Sequence, residues 1–205
     1  VDSFPVFPGF PQNANGSSIE GGIYLNMDAD PELEICCAVG NSILAWNIDG
    51  SFVPGFPVTT SYEFYGGPAA GDIDGDGVWE IVGTTRWGSS SGTIEAYELD
   101  GNSVAGFPVV HGYSSRTPVL ADIDNDNDME IIVNKRVYPL GEVYVFQGDG
   151  QVHPGWPQSM GHVPGSSAAV GDITGDGVPE IVMESYDQLY VWDTAGNALP
   201  GFPYT

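Results

Sequence analysis

Basic residues are scarce. Four lysines and arginines stand against 28 aspartates and glutamates, a formal charge of −24. A phosphate backbone or an anionic lipid surface needs cationic neutralisation, so the balance argues against nucleic acid and membrane partners. Cysteine is almost missing. Only Cys36 and Cys37 occur, side by side. Neighbouring strand residues point to opposite faces, which excludes a disulfide framework and leaves two small apolar strand residues. No apolar run approaches the roughly 18 residues of a membrane-spanning helix. Helix-forming signals are few. No leader-peptide pattern is present, and the sequence opens on Val1 rather than Met, which reads as a processed or excised piece of something longer. Asn15-Gly16-Ser17 is a glycosylation triplet of small weight.

What is abundant is punctuation. The chain carries 29 glycines and 16 prolines, yet 41% of it is hydrophobic. That combination suits many short strands joined by turns around a core. A tetrad recurs as Pro8-Gly9-Phe10-Pro11, Pro54-Gly55-Phe56-Pro57, Pro154-Gly155-Trp156-Pro157 and Pro200-Gly201-Phe202-Pro203, with Ala105-Gly106-Phe107-Pro108 as a variant. The repeat length is therefore 46 to 51 residues. A strand aromatic runs in phase with it, at Trp46, Tyr97, Phe146 and Trp192. Each precedes a turn pair: Asp49-Gly50, Asp100-Gly101, Asp149-Gly150 or Ala195-Gly196. Glycine accepts the positive φ that such hairpin turns require.

In the last repeat, Ser167–Gly171, Ile181–Glu184 and Leu189–Asp193 read as strands. Ala198–Pro203 reads as an irregular edge, where proline is tolerated. Four antiparallel strands per repeat match a β-propeller blade better than a solenoid coil or an array of small sandwiches. The expected fold is all-β: four tandem four-stranded blades at about 12–57, 58–108, 109–157 and 158–203. Residues 1–11 are expected to form the final strand of a preceding blade.

A third marker is acidic and occupies the loop between the first two strands. Asp72, Asp74, Asp76, Val78 and Glu80 occupy positions 1, 3, 5, 7 and 9 of one copy. The next copy has Asp122, Asp124, Asp126, Asp128 and Glu130, with Asn127 in place of the bend glycine. The last has Asp172, Thr174, Asp176, Val178 and Glu180; the first, most diverged, has Asn26, Asp28, Asp30, Glu32 and Glu34. Alternate carboxylates on a tight turn converge, and an all-oxygen set suits calcium rather than zinc or copper. An EF-hand is excluded, because position 12 is Cys37, Gly83, Val133 or Met183 instead of glutamate. Up to four Ca²⁺, one per blade, are expected. Charge count ranks the second and third loops tightest and the first as the one most at risk of being empty.

The repeated Asp-x-Asp-Gly-Asp-Gly-x-x-Glu-Ile-Val, with the Pro-Gly-Phe-Pro segment, resembles the FG-GAP/VCBS repeats of integrin-α-like β-propellers, in their bacterial or archaeal secreted form. The resemblance implies a calcium-stabilised blade in an extracellular, secreted or cell-surface setting. It implies no single function, since such blades serve adhesion proteins and also accompany polysaccharide lyases and proteases. Where that family commonly has Asp at position 9, this chain has Glu.

The expected role is non-catalytic adhesion, ligand binding or assembly. No serine elbow or metal-binding His pair accompanies His111, His153 and His162. Alternatives are a self-assembling subunit of a surface filament and an accessory propeller of a secreted enzyme. The candidate ligand residues are Arg86, Trp87, Arg136 and Tyr138, in equivalent irregular loops, facing a protein or glycan ligand or further copies of the chain.

Overall fold

The computed structural model describes residues 9–14, 16, 20–114 and 116–204. Residues 1–8 of the expected leading strand, and Asn15 and Ser17 of the glycosylation triplet, lie outside the described residues.

Four antiparallel sheets follow one another along the chain. The first contains β1 (Ile23–Leu25), β2 (Glu34–Val39), β3 (Ser42–Trp46) and β4 (Val58–Thr59), paired in chain order. The second contains β5 (Glu63–Phe64), β6 (Ala69–Gly71), β7 (Glu80–Arg86), β8 (Thr93–Tyr97) and β9 (Val109–Val110); β5 and β6 both pair with β7. The third contains β10 (Val119–Ala121), β11 (Glu130–Val137), β12 (Leu140–Phe146) and β13 (Gln158–Met160). The fourth contains β14 (Ala169–Gly171), β15 (Glu180–Ser185) and β16 (Gln188–Trp192), with single bridges from Trp192 to Ala198 and from Leu189 to Tyr204. Among the described residues there is no helix.

The outermost strand falls after the proline tetrad, not within it. β4, β9 and β13 belong to the sheets that precede them. The expected repeat boundaries at 57, 108 and 157 therefore cut each sheet just before its last strand. The tetrad itself is a turn: Gly55, Gly106 and Gly155 have φ of 91°, 94° and 92°.

The core lies between sheets, and strand alternation builds it. In β7, Ile81 packs against the first sheet and Val82 against the third. In β11, Ile131 faces the second sheet and Ile132 the fourth. Each of these strands is buried on both faces, which is why it reads as a continuous apolar run. Cys36 and Cys37 are both free thiols and follow the same rule, joining different clusters on opposite faces of β2.

The two aromatic markers meet across these interfaces. Phe56 clusters with Tyr97, Phe107 with Phe146, and Trp156 with Trp192, whose rings are 5.9 Å apart and edge-on. The tetrad glycine sits on the backbone of the next sheet's hairpin turn. A Cβ on Gly55 would fall 1.8 Å from the carbonyl oxygen of Asp100, on Gly106 2.1 Å from that of Asp149, and on Gly155 2.1 Å from that of Ala195. On the opposite side of the sheets, the short strands β1, β6 and β10 lie beside one another. Gly67 N–H donates to Thr117 Oγ1 at 2.8 Å, and Ser167 Oγ donates to the Thr117 carbonyl at 2.8 Å.

Gly106→Ala combines a left-handed backbone with a main-chain clash, and is expected to cost about 3 kcal/mol or more. Gly201, at φ 93°, has nothing near its Cβ position among the described residues, so Gly201→Ala is expected to cost only about 1 kcal/mol. Urea denaturation of the two variants checks the difference.

Candidate metal centre

Three of the four acidic loops are shaped by their own first carboxylate. Asp72 accepts from Gly75 N–H at 2.8 Å and from Gly77 N–H at 2.9 Å. Asp122 accepts from Asn125 and Asn127 at 2.7 and 3.2 Å, and Asp172 from Gly175 and Gly177 at 2.6 and 2.9 Å. The residues that donate have positive φ, including Asn125 at 64° and Asn127 at 82°. Asparagine tolerates that region, so the missing bend glycine of the third sheet is replaced without loss of shape.

The position-9 glutamate opens β2, β7, β11 and β15 and is buried in all four. One carboxylate oxygen is committed. Glu34, Glu80, Glu130 and Glu180 each accept through Oε2 from the N–H at position 2 of their own loop, at 2.5, 2.8, 2.8 and 2.9 Å. The other oxygen differs among the copies. In Glu34 and Glu80, Oε1 is buried with no hydrogen-bond partner. In Glu180 it accepts from Thr174 Oγ1 at 3.3 Å. A buried carboxylate oxygen without a donor is costly, and a hard cation is the kind of group that would satisfy it.

Three sets of carboxylates could hold a metal ion: Asp28, Asp30 and Glu34; Asp72, Asp74 and Glu80; and Asp122, Asp124 and Glu130. In each, one oxygen per residue lies within 4.8 Å of the others. Oxygen donors at this separation fit a calcium-sized ion. Among the described residues the fourth loop forms no such group. The sequence ranking placed the first loop lowest, yet the first converges like the second and third. The fourth is the deficient one, because Thr174 removes a carboxylate and ties off Glu180.

Other expected ligands have structural tasks. Asn26 Nδ2 donates to the Asp30 carbonyl at 2.7 Å, so positions 3, 5 and 9 form the first loop's set. Asp76, Asp126 and Asp176 accept the N–H groups of Val78, Asp128 and Val178 and lie outside the converging sets. Glu32 is exposed and donates its N–H to Asp30. The side chains of Val78 and Val178 are exposed, and Asp128 packs towards Gly75 of the neighbouring loop. Position spacing did not reveal His153, whose Nε2 is 3.4 Å from Asp124 Oδ2 although 29 residues separate them. Met129 N–H bonds to the Asp72 carbonyl at 2.8 Å, so the second and third loops are joined.

Burial pushes the Glu80 carboxyl up to about 7. The Ile73 N–H opposes this, and Asp74, Glu98 and Asp72 add repulsion. Burial likewise raises Glu130 to about 7 and raises Glu34.

The candidate ligand residues gather at the far end of β7 and β11. Arg86, Arg136 and Tyr138 line a cavity of about 480 Å³ together with Tyr65 and Tyr113, two residues the sequence did not single out. Trp87 sits beside this cavity, 64% exposed and stacked on Tyr62 at 5.7 Å.

No protein-family model matches the chain, and no curated protein matches it. Solved structures do. The V. cholerae biofilm matrix protein Bap1 aligns at a TM-score of 0.52 and 18% identity, over 95% of this chain and 41% of that one. The Pseudomonas aeruginosa PilY1 C-terminal domain aligns at 0.61 and 16% identity, over 85% and 41%. BBS1N, solved in complex with ARL6DN, aligns at 0.59 and 13% identity, over 94% and 58%. The chain spans less than two thirds of each, and at these identities the likeness is one of fold.

The raised glutamates set a pH dependence. A carboxyl whose folded pKa lies above its unfolded value of about 4.5 contributes stability that is full below that value and is lost as pH rises through about 7. In chelator, the protein is therefore expected to be more stable at pH 5 than at pH 8 by urea denaturation. Glu80→Gln keeps an acceptor for Ile73 N–H without the charge, and should flatten that slope.

Proposed function

We propose that the chain is a run of β-propeller blades of the FG-GAP/VCBS kind. Its loops bind calcium, and it serves as a non-catalytic adhesion or ligand-binding module outside the cell. The observation that carries the calcium reading is the buried, unpartnered Oε1 of Glu34 and Glu80, two residues that each belong to a convergent carboxylate set. Asp28, Asp30 and Glu34, Asp72, Asp74 and Glu80, and Asp122, Asp124 and Glu130 would hold the ions. The ion would supply positive charge that neutralises a buried carboxylate and pins the loop between two strands. Four antiparallel sheets in succession, with the short strands β1, β6 and β10 of the first three side by side, support the blade reading. Bap1 is a biofilm matrix protein, which supports an extracellular, adhesive setting. A non-catalytic role is supported by the histidines: His111 is buried, with Nε2 3.3 Å from the Asn134 carbonyl, and His162 packs on Tyr186.

Calcium at about 100 times its dissociation constant stabilises by about 2.7 kcal/mol per site. For a chain of this size that corresponds to a rise in melting temperature of about 5–10 °C. Asp72→Asn and Asp122→Asn should each remove part of the rise, and Asp172→Asn should leave it nearly intact. An unchanged melting curve on passing from chelator to millimolar calcium would refute the metal reading.

A further inference from the structure

The four basic side chains are Arg86, Arg116, Lys135 and Arg136. Two of them are compensated. Lys135 pairs with Glu142 at 3.4 Å, and Arg116 lies 3.9 Å from Glu20 while bonding the Gly165 carbonyl through two nitrogens. The other two share the cavity at the ends of β7 and β11. Among the described residues, neither Arg86 nor Arg136 has a carboxylate within ion-pair distance, although Glu63 lies opposite Arg86 in register. With 28 carboxylates in the chain, two neighbouring guanidiniums without one are an exception that charge balance does not explain.

Tyrosines hold them instead. Arg86 Cζ lies 4.5 Å above the Tyr65 ring and 5.5 Å from the centre of Tyr113, and Arg136 Cζ lies 5.4 Å from the same Tyr113. Tyr65 and Tyr113 meet edge-on at 5.3 Å. Burial works to raise the Tyr113 phenol, and hydrogen bonds from Tyr65, Arg86 and Arg136 outweigh it, so the phenol lies below its usual range. Ring faces and a neutral phenol position a guanidinium without cancelling its charge, and leave planar N–H donors for an anion. The cavity of about 480 Å³ falls in the size range of small-ligand sites. Its lining includes Tyr138, 85% exposed, and Ser89, which adds a hydroxyl-bearing side chain.

We infer that this cavity binds an anionic sugar, with Arg86 and Arg136 on its acidic group and Tyr138 against a ring face. Planar forked donors match a carboxylate or sulfate group. Exposed flat aromatics match the apolar face of a pyranose better than the side chain of an acidic peptide. The chain's charge of −24 repels a uniform polyanion, so the acidic group must be local, set among neutral sugars or carried on a short oligomer. The inference rests on the ligand-binding reading above and gives its ligand a chemical class.

Calorimetry on the full chain at fixed calcium tests it, using a uronate-bearing trisaccharide, a sulfated trisaccharide, a neutral trisaccharide and an Asp/Glu peptide. Binding of either acidic sugar without the neutral one supports the inference, and the arm that binds identifies the acidic group. Arg136 is exposed, so Arg136→Gln leaves folding intact and should weaken binding at least tenfold. Tyr138→Ala should weaken it several-fold, and added salt should weaken it too. Binding unchanged in Arg136→Gln, binding of the peptide alone, or no binding of either acidic sugar at millimolar concentration overturns it. The calcium-dependent melting shift is read on the same samples. Loss of sugar binding with the shift intact refutes the sugar site alone, and loss of the shift with sugar binding intact refutes the metal reading alone.

Discussion

A buried carboxylate stands at the head of one long strand in every sheet. One oxygen of that glutamate holds the N–H of a residue seven positions earlier, so the acidic loop is closed from inside the fold. Burying a carboxylate is unfavourable unless its charge is met, and one N–H does not meet it. A proton, a cation or a further donor must do the rest. The fourth loop has taken the donor, through Thr174; the first and second leave an oxygen bare. Whether these loops carry an ion is thus tied to how the strands behind them begin.

The second constraint is that the long middle strands have no free face. Ile81, Val82, Ile131 and Ile132 are each 1% exposed or less, although successive residues point to opposite sides. A sheet of this kind is stable only with a neighbour on each flank, and the repeats provide neighbours for one another. Charged and polar side chains are driven to the loops at the strand ends. There the acidic sets gather at one end of β7 and β11, and Arg86 and Arg136 at the other.

Much of this was legible in the sequence because it repeats. The strand positions around Ile181 and Leu189 follow from period-two patterning, and the loop positions follow from in-phase aspartates. The outer strands were misplaced because Val58–Thr59 and Val109–Val110 are two residues long and carry no periodicity. The sequence ranked the first loop lowest because Asn26 suggested a missing ligand. Its neighbours Asp28 and Asp30 converge with Glu34 all the same, since ligand sets are a property of loop shape and not of a fixed register. Arg86 and Arg136 stood out by phase. Tyr65 and Tyr113 did not, because each comes from a connecting segment whose path only the folded sheets determine.

The seat of Gly55, Gly106 and Gly155 on the next hairpin turn has a consequence for how such a chain can vary. The contact is main chain against main chain, so this joint between successive sheets calls for no particular side chain in the turn it meets. Substitutions elsewhere on the sheets leave that joint alone, and a whole repeat carries both halves of it, a tetrad at one edge and a turn at the other. Length can therefore change in units of one sheet without any new surface having to be invented.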